Sequence, residues 1–179
     1  MAIGDRKLTM EEIARAARGT AARAALPRIT LVLDHIRSGH NVGAIFRTAD
    51  AFGAERIVLC GYTPGPPDRE VLKTALGATE TVTWERATDT LEAIRGFQGR
   101  GYRVVAVEQT SGSVPLVGHE RSGGPLALVF GNELKGVQSA VVEACDGALH
   151  IPQVGHKHSL NVSVCAGITL WEVVRTVLV

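Results

Sequence analysis

The sequence predicts an α/β fold in which a mostly parallel sheet is flanked by helices. Short apolar runs rich in branched residues alternate with longer helix-like segments along the chain. The runs are almost continuously apolar, which is typical of strands covered by helices on both faces. The composition agrees, because 45% of the residues are hydrophobic and 21% are charged, as in globular proteins.

A helix is predicted first, because Thr9-Met10-Glu11-Glu12 fits a capping box and Pro27 ends the helix-like segment that follows. We assign residues 1–27 to an N-terminal helical extension and residues 28–179 to the main domain. The predicted strands are 28–34, 56–61, 81–86, 102–108, 126–131 and 148–152. The predicted helices are 41–53, 68–78, 87–97, 136–145 and the segment from Leu160 onward. Glycine ends the first of these helices, and the prolines up to Pro67 exclude regular structure before the second.

Charge, cysteine content and hydropathy narrow the function classes. The net charge of +1 gives no global argument for nucleic acid, although a local basic patch remains open. The three cysteines lack metal-like spacing and are interpreted as buried free thiols. The apolar C-terminal helix carries Glu172 and Arg175, so we expect no membrane span, and the N-terminus has no apolar signal core. We therefore expect a cytoplasmic protein without a bound metal.

Three loops that follow predicted strands are candidates for a ligand site, because ligands of parallel α/β sheets bind beyond the carboxyl ends of the strands. They read DHIRSGHN (34–41), GNELKGV (131–137) and IPQVGHKHSLN (151–161). In the second loop, Gly131 and Gly136 suit a tight turn with close backbone approach to a ligand. Glu133 is either a ligand or loop-organising group, or a solvated turn residue. The P-loop and dinucleotide fingerprints are both missing from the sequence.

The first loop leads into a helix that Asn41 is able to cap. Gly43 and Arg47 are spaced i and i+4, so they share a helix face, and the glycine leaves room beside the guanidinium. A guanidinium with such room suits a phosphate or a carboxylate. The alternative is a salt bridge from Arg47 to Asp50.

The third loop ends in Ser159-Leu160-Asn161, where Ser159 is the expected N-cap of the last helix. Capping does not explain Asn161, which is only a middling helix former. The preceding His156, Lys157 and His158 are interpreted as a solvated basic turn rather than metal ligands.

Together these loops resemble the SpoU/TrmH family of RNA methyltransferases, a branch of the SPOUT superfamily. Asn41-x-Gly43 with Arg47-Thr48-Ala49 is similar to its first motif, and Phe130-Gly131-Asn132-Glu133 with Lys135-Gly136 is similar to its second. Ile151-Pro152 with 159–164 is similar to its third. The three motifs occur in the family's order over residues 28–179. Leu134 departs from the glycine of many relatives.

The resemblance implies a SPOUT α/β knot, in which the C-terminal segment forms a deep trefoil knot, and a homodimer. It implies S-adenosyl-L-methionine as the cofactor and RNA, either tRNA or rRNA, as the partner. The implied cofactor-binding residues are Gly131, Asn132, Ile151, Gln153, Leu160 and, less directly, Thr110. The implied catalytic residues are Arg47, Asn41, Glu133, Ser159 and Asn161.

The implied reaction is methyl transfer to a ribose 2′-hydroxyl. Arginine is a poor base, so we expect Arg47 to hold a phosphate and polarise the 2′-oxygen. Two alternatives stay open, a base-methylating SPOUT enzyme and a non-catalytic RNA-binding or assembly protein that retains the knot. The residues proposed for basic patches that contact RNA are Arg15, Arg18, Arg37, Lys73 and Lys157.

Overall fold

The computed structural model describes residues 6–17, 26–118 and 123–178. Its strands are β1 (Ile29–Asp34), β2 (Arg56–Cys60), β3 (Thr83–Ala87), β4 (Arg103–Val107), β5 (Val114–Pro115), β6 (Leu126–Phe130) and β7 (Gly147–His150). They form one parallel sheet in the order β3-β2-β1-β6-β4-β7-β5. The predicted parallel α/β fold is confirmed. The two-residue strand β5 was not predicted, because it is very short and contains Pro115, which is unfavourable within a sheet.

The helices are α1 (Met10–Ala17), α2 (Gly39–Ala51), α3 (Arg69–Ala75), α4 (Ala78–Thr81), α5 (Thr90–Gly99), α6 (Ser139–Ala144) and α7 (Val162–Leu178). Helix α1 begins with the predicted capping box, in which Thr9 and Glu12 exchange hydrogen bonds. The single helix predicted at 68–78 is two helices. Leu76 and Gly77 adopt left-handed backbone angles, with φ of 50° and 88°, and so end α3.

Helices cover both faces of the sheet, and each face carries its own apolar core. On one face, α2, α3 and α7 pack over β1 and β6, with Phe46, Ala166 and Leu170 fully buried. On the other face, α5 and α6 pack over the same strands through residues such as Ile94 and Val141. This double coverage explains why the strands are apolar on both sides, as all six residues of β1 are buried.

The cysteines are free thiols, as predicted, but only Cys60 is fully buried and Cys145 and Cys165 are half-buried. Burial raises the pKa of the Cys60 and Cys145 thiols to about 12, so both stay protonated at neutral pH. No helix in the described residues combines the length and the hydrophobicity needed to cross a membrane. The described ranges also contain no group of three or more His, Cys, Asp or Glu residues that would hold a metal ion.

Candidate active site

The sheet has a topological switch point between β1 and β6. From β1 the chain continues to β2 on one side, and from β6 it continues through α6 to β7 on the other. The loops that leave the two strands therefore diverge, which opens a crevice at their carboxyl ends. A cavity of about 320 Å³ lies at this edge, between the loops that follow β4, β6 and β7. Its volume is at the lower end of the range found for small-molecule sites, about 300–1,000 Å³.

Five of the six predicted cofactor-binding residues line this cavity: Gly131, Asn132, Ile151, Gln153 and Leu160. Thr110 does not line it, and its backbone instead closes a turn with Ser113. Apolar walls come from residues such as Phe130, Leu149 and Val162, and polar groups from Gln109, Gln153 and Ser159. The lining therefore suits a ligand with both a flat apolar part and a polar part.

The loop that follows β6 is closed by its own backbone. Asn132 and Gly136 exchange backbone hydrogen bonds of 3.0 and 2.8 Å, and the Asn132 side-chain oxygen accepts the N–H groups of Leu134 and Lys135. A Cβ at Gly131 would collide with the backbone of Gly136 and Val137. Gly136 has a φ of 68° and lies against the Glu108 carboxylate. Both glycines are thus required by the turn itself, and Gly131 also lines the cavity.

Glu133 organises this edge of the sheet. Its carboxylate accepts the N–H groups of Arg37 at 2.9 Å and Ser38 at 3.0 Å, and the Asn41 side-chain amide at 2.9 Å. Burial acts to raise the pKa of Glu133, but these donors outweigh it, so the pKa lies below its usual value. Of the two interpretations of Glu133, the structure supports the loop-organising group. A carboxylate saturated in this way is a positioning group rather than a proton acceptor.

The third motif joins the same network through Asn161. The Asn161 amide donates to the Asn41 side-chain oxygen at 3.0 Å. The Asn161 side-chain oxygen accepts from the N–H and hydroxyl of Ser163 and from the N–H of Val164. Asn161 is therefore the N-cap of α7, and the prediction that Ser159 caps this helix is wrong, because α7 begins at Val162. Ser159 lies in the cavity lining instead.

The cap of α2 also differs from the prediction. Ser38 is the N-cap, and its hydroxyl accepts the Asn41 N–H at 3.3 Å. Asn41 lies inside the first turn, where its side chain is free to bridge Glu133 and Asn161. The prediction that Asn41 caps the helix is wrong, but its assignment to the site agrees with this bridging position.

Arg47 lies apart from the cavity lining, on the exposed face of α2. It makes no ion pair or hydrogen bond with the described residues, and Asp50 instead accepts the Thr81 hydroxyl at 2.7 Å. The predicted space beside it is absent, because a Cβ at Gly43 would collide with Thr74 and with the Val71 carbonyl of α3. Gly43 is needed for close helix packing, and that interpretation of the glycine was wrong.

Glu108 and Gln109 are among the cavity-lining residues that the sequence analysis missed. They follow β4 directly. Glu108 accepts the N–H groups of Val137 and Gln109, and the Gln109 amide donates to the His158 carbonyl at 3.0 Å. Their position immediately after a buried strand was the available signal. Of the basic residues proposed to contact RNA, Arg37, Lys73 and Lys157 are exposed, whereas Arg18 and the Arg15 side chain lie outside the described residues.

Sequence comparisons match residues 28–171 to the SpoU rRNA Methylase family. The 23S rRNA (guanosine-2'-O-)-methyltransferase RlmB of Photobacterium profundum is 36% identical over 148 residues, which are 82% of this chain and 59% of RlmB. RlmB of Ralstonia nicotianae is 37% identical over 155 residues, which are 83% of this chain and 59% of the relative. The chain thus spans less than two thirds of the length of these curated relatives.

Solved structures share the fold. The SpoU methyltransferase AviRb from Streptomyces viridochromogenes, in complex with AdoMet, has a TM-score of 0.78 and 25% identity, covering 86% of this chain and 62% of AviRb. The AdoMet-bound rRNA methyltransferase from Sinorhizobium meliloti has a TM-score of 0.78 and 29% identity. The match covers 94% of this chain and 70% of the Sinorhizobium meliloti enzyme. The A. aeolicus TrmH/SpoU tRNA modifying enzyme has a TM-score of 0.75 and 29% identity. The match covers 94% of this chain and 84% of the A. aeolicus enzyme. The similarity confirms the predicted α/β fold of these enzymes, and the trefoil knot stays a prediction.

Proposed function

Because this chain belongs to the SpoU rRNA methylase family, we propose that it is an S-adenosyl-L-methionine-dependent methyltransferase that modifies a ribose 2′-hydroxyl of tRNA or rRNA. One observation carries the proposal. The three motif loops meet at one sheet edge, where two of them line a single cavity and Glu133, Asn41 and Asn161 form one hydrogen-bonded network. Two solved relatives with bound AdoMet, AviRb and the Sinorhizobium meliloti enzyme, share this fold.

The cavity lining fits such a cofactor. An adenine ring requires apolar walls, which Phe130, Leu149 and Leu160 provide, and an amino-acid group requires polar partners such as Gln153. S-adenosyl-L-methionine supplies an activated methyl group when it is bound. We therefore assign Gly131, Asn132, Ile151, Gln153 and Leu160 to cofactor binding, and we keep Thr110 as an outer wall.

The remaining site residues bind and orient the acceptor. Arg47 has an exposed guanidinium that makes no ion pair or hydrogen bond with the described residues. It is suited to hold an RNA phosphate and to polarise the acceptor oxygen. Glu133 and Asn41 fix the loop positions. Ser159 lines the cavity and Asn161 lies between the lining residues Leu160 and Val162, so we assign both to orientation of the ribose.

We further propose that the protein is a homodimer and acts in the cytoplasm, where its RNA substrates reside. Helix α7 supports the dimer, because Val164, Ile168 and Trp171 form an apolar stripe spaced i, i+4 and i+7. These side chains are 49%, 38% and 46% exposed, respectively. An apolar helix face of this kind is stabilised by burial against a second surface.

Substitution of Arg47 by alanine tests the catalytic assignment. Transfer of labelled methyl groups to total tRNA and rRNA, taken from cells that lack the gene, should fall by about 100-fold or more. Affinity for S-adenosylhomocysteine, measured by calorimetry, should not change, because Arg47 does not line the cavity. The matched control is Arg95→Ala on α5, which removes an exposed arginine from a helix on the other face of the sheet from α2. Full turnover by the Arg47→Ala protein would refute the assignment.

The product distinguishes ribose from base methylation. A 2′-O-methyl group blocks alkaline cleavage of the linkage that follows it, so the wild-type product should contain an alkali-resistant linkage. A labelled product without such a linkage would contradict the ribose assignment and favour a base-methylating enzyme. If neither S-adenosylmethionine nor S-adenosylhomocysteine raises the melting temperature, the protein is not a cofactor-dependent methyltransferase.

A further inference from the structure

Tyr62 is an aromatic side chain that is held in place but exposed beside the cavity. It follows β2 at the same edge of the sheet, and 59% of its surface is exposed. Its hydroxyl accepts the Asn132 amide at 3.0 Å, and its ring meets the His35 ring edge-on at a centroid distance of 4.7 Å. A ring that is already fixed loses little conformational freedom when a ligand stacks on it. Trp171, the other exposed aromatic among the described residues, lies on helix α7 instead.

Two exposed cationic side chains belong to the same hydrogen-bonded unit. Arg37 lies two residues after His35, and Lys135 lies three residues after Asn132. Their backbone N–H groups are fixed by Glu133 and Asn132, whereas their side chains make no ion pair or hydrogen bond with the described residues. Tyr62, Arg37 and Lys135 are here called the Tyr62 patch.

The carboxylates nearby are held by hydrogen-bond donors other than Arg37 and Lys135 side chains. Asp34 accepts from Thr90, from the backbone and side chain of Gln138 and from His35. Glu133 accepts three N–H donors and Glu108 accepts two. No described carboxylate pairs with Arg37 or Lys135, so both charges are available to an anion. An exposed ring in the same hydrogen-bonded unit as two cations that pair with no described carboxylate complements a nucleotide, because every base has a face that stacks and every linkage carries a phosphate.

We infer that the Tyr62 patch binds an unpaired nucleotide of the RNA next to the one that enters the active site, with the base on the Tyr62 ring and phosphates at Arg37 and Lys135. Asn132 connects the two places, since it lines the cavity and donates to Tyr62. A base inside a duplex is stacked on its neighbours, so the patch selects a loop or single strand. The inference rests on the proposed RNA substrate and extends it.

The test is equilibrium binding of fluorescein-labelled single-stranded RNA to the full chain, followed by fluorescence anisotropy. A mixed-sequence probe about ten nucleotides long matches the site size of single-strand binders. Tyr62→Ala should weaken binding by about tenfold, which is the usual loss for one stacked base. Tyr62→Phe keeps the ring and should bind as the wild type does. Neither variant should change the affinity for S-adenosylhomocysteine. This measurement is the control that the cavity is intact in both variants.

Salt dependence tests the two cations. Arg37→Ala and Lys135→Ala should each reduce the slope of log K against log salt concentration by about 0.7, the value for one phosphate contact on a single strand. Arg95→Ala, which removes an exposed arginine from helix α5, should leave the slope unchanged. The same RNA annealed to its complement should bind wild type and Tyr62→Ala equally.

Three results would overturn the inference: unchanged RNA affinity in Tyr62→Ala, equal losses in Tyr62→Ala and Tyr62→Phe, or slopes unaffected by both cation substitutions. These results are separable from failure of the proposed function. If the cofactor does not bind but RNA binding depends on the Tyr62 ring, the methyltransferase proposal fails and the patch stands. If S-adenosylhomocysteine binds and the Tyr62 variants match the wild type, only the patch fails.

Discussion

Glu133→Gln is the sharpest test of how the site is held together. The substitution keeps the size of the side chain but removes its charge and replaces one acceptor oxygen with an NH₂ donor. In the wild type, one carboxylate oxygen accepts from Ser38 and Asn41 and the other accepts from Arg37. An amide in either orientation therefore places a donor against at least one N–H group.

The magnitude follows from these three contacts. A hydrogen bond to a charged group contributes about 1.5–3 kcal/mol and a neutral one about 0.5–1.5 kcal/mol. Changing a charged acceptor to a neutral one therefore costs about 1 kcal/mol per hydrogen bond. Because Glu133 is only half-buried, we expect less than the full sum over three contacts, a net loss of about 2 kcal/mol. For a domain of this size each kcal/mol lowers the melting temperature by about 2–4 °C, so the expected fall is about 4–8 °C.

The assay is thermal unfolding followed by circular dichroism at neutral pH. Glu143→Gln is the matched control, since Glu143 is exposed and makes no ion pair or side-chain hydrogen bond with the described residues. Its melting temperature should stay close to that of the wild type, because surface substitutions usually change stability by less than about 0.5 kcal/mol. Equal melting temperatures for the two variants would refute the positioning role of Glu133.

Acid should abolish the difference between Glu133→Gln and the wild type. The folded-state pKa of Glu133 is lowered by its N–H donors. Its contribution to stability is therefore fully present above the ordinary glutamate pKa, near 4.3, and is lost as the pH falls through the lowered folded value. Melting curves of both proteins at decreasing pH should converge in that interval. A difference in melting temperature that stays constant with pH would mean that the charge of Glu133 does not cause the loss of stability.

Two further substitutions test packing and assembly. Gly43→Ala should lower the denaturant midpoint by the equivalent of about 1–3 kcal/mol of unfolding free energy, because its Cβ would meet Thr74 and the Val71 carbonyl. The control Gly99→Ala should leave the midpoint unchanged, since nothing lies within 4 Å of the added Cβ. Equal midpoints for the two would contradict the packing role of Gly43. Ile168→Asp should convert the proposed dimer to a monomer in sedimentation velocity, and Leu72→Asp, at a site 44% exposed on α3, should leave it dimeric. A wild-type monomer, or an Ile168→Asp dimer, would contradict the proposed interface.

The sequence predicted the sheet well because strand signals are local. An apolar run such as Leu126–Phe130 is legible without its neighbours, and most predicted strand limits lie within one or two residues of those observed. The caps were predicted poorly because a cap depends on backbone angles that the surrounding loops impose. Ser159 and Asn161 are both good caps by residue type, and only the path of the loop selects Asn161. Likewise, a glycine such as Gly43 does not indicate whether a ligand or a second helix fills the adjacent space.

The network also explains why two positions require asparagine. Aspartate or serine would cap α7 as well as Asn161 does, but Asn161 must also donate to Asn41, which an aspartate is unable to do. Asn41 must accept from Asn161 and donate to Glu133 at the same time, and an aspartate there would place two carboxylates in contact. A side-chain amide offers a donor and an acceptor on adjacent atoms, which an ionised carboxylate does not. The two amides thus connect the Glu133 loop to the first turn of α7 by hydrogen bonds. These bonds explain how three segments that are distant in sequence form one site.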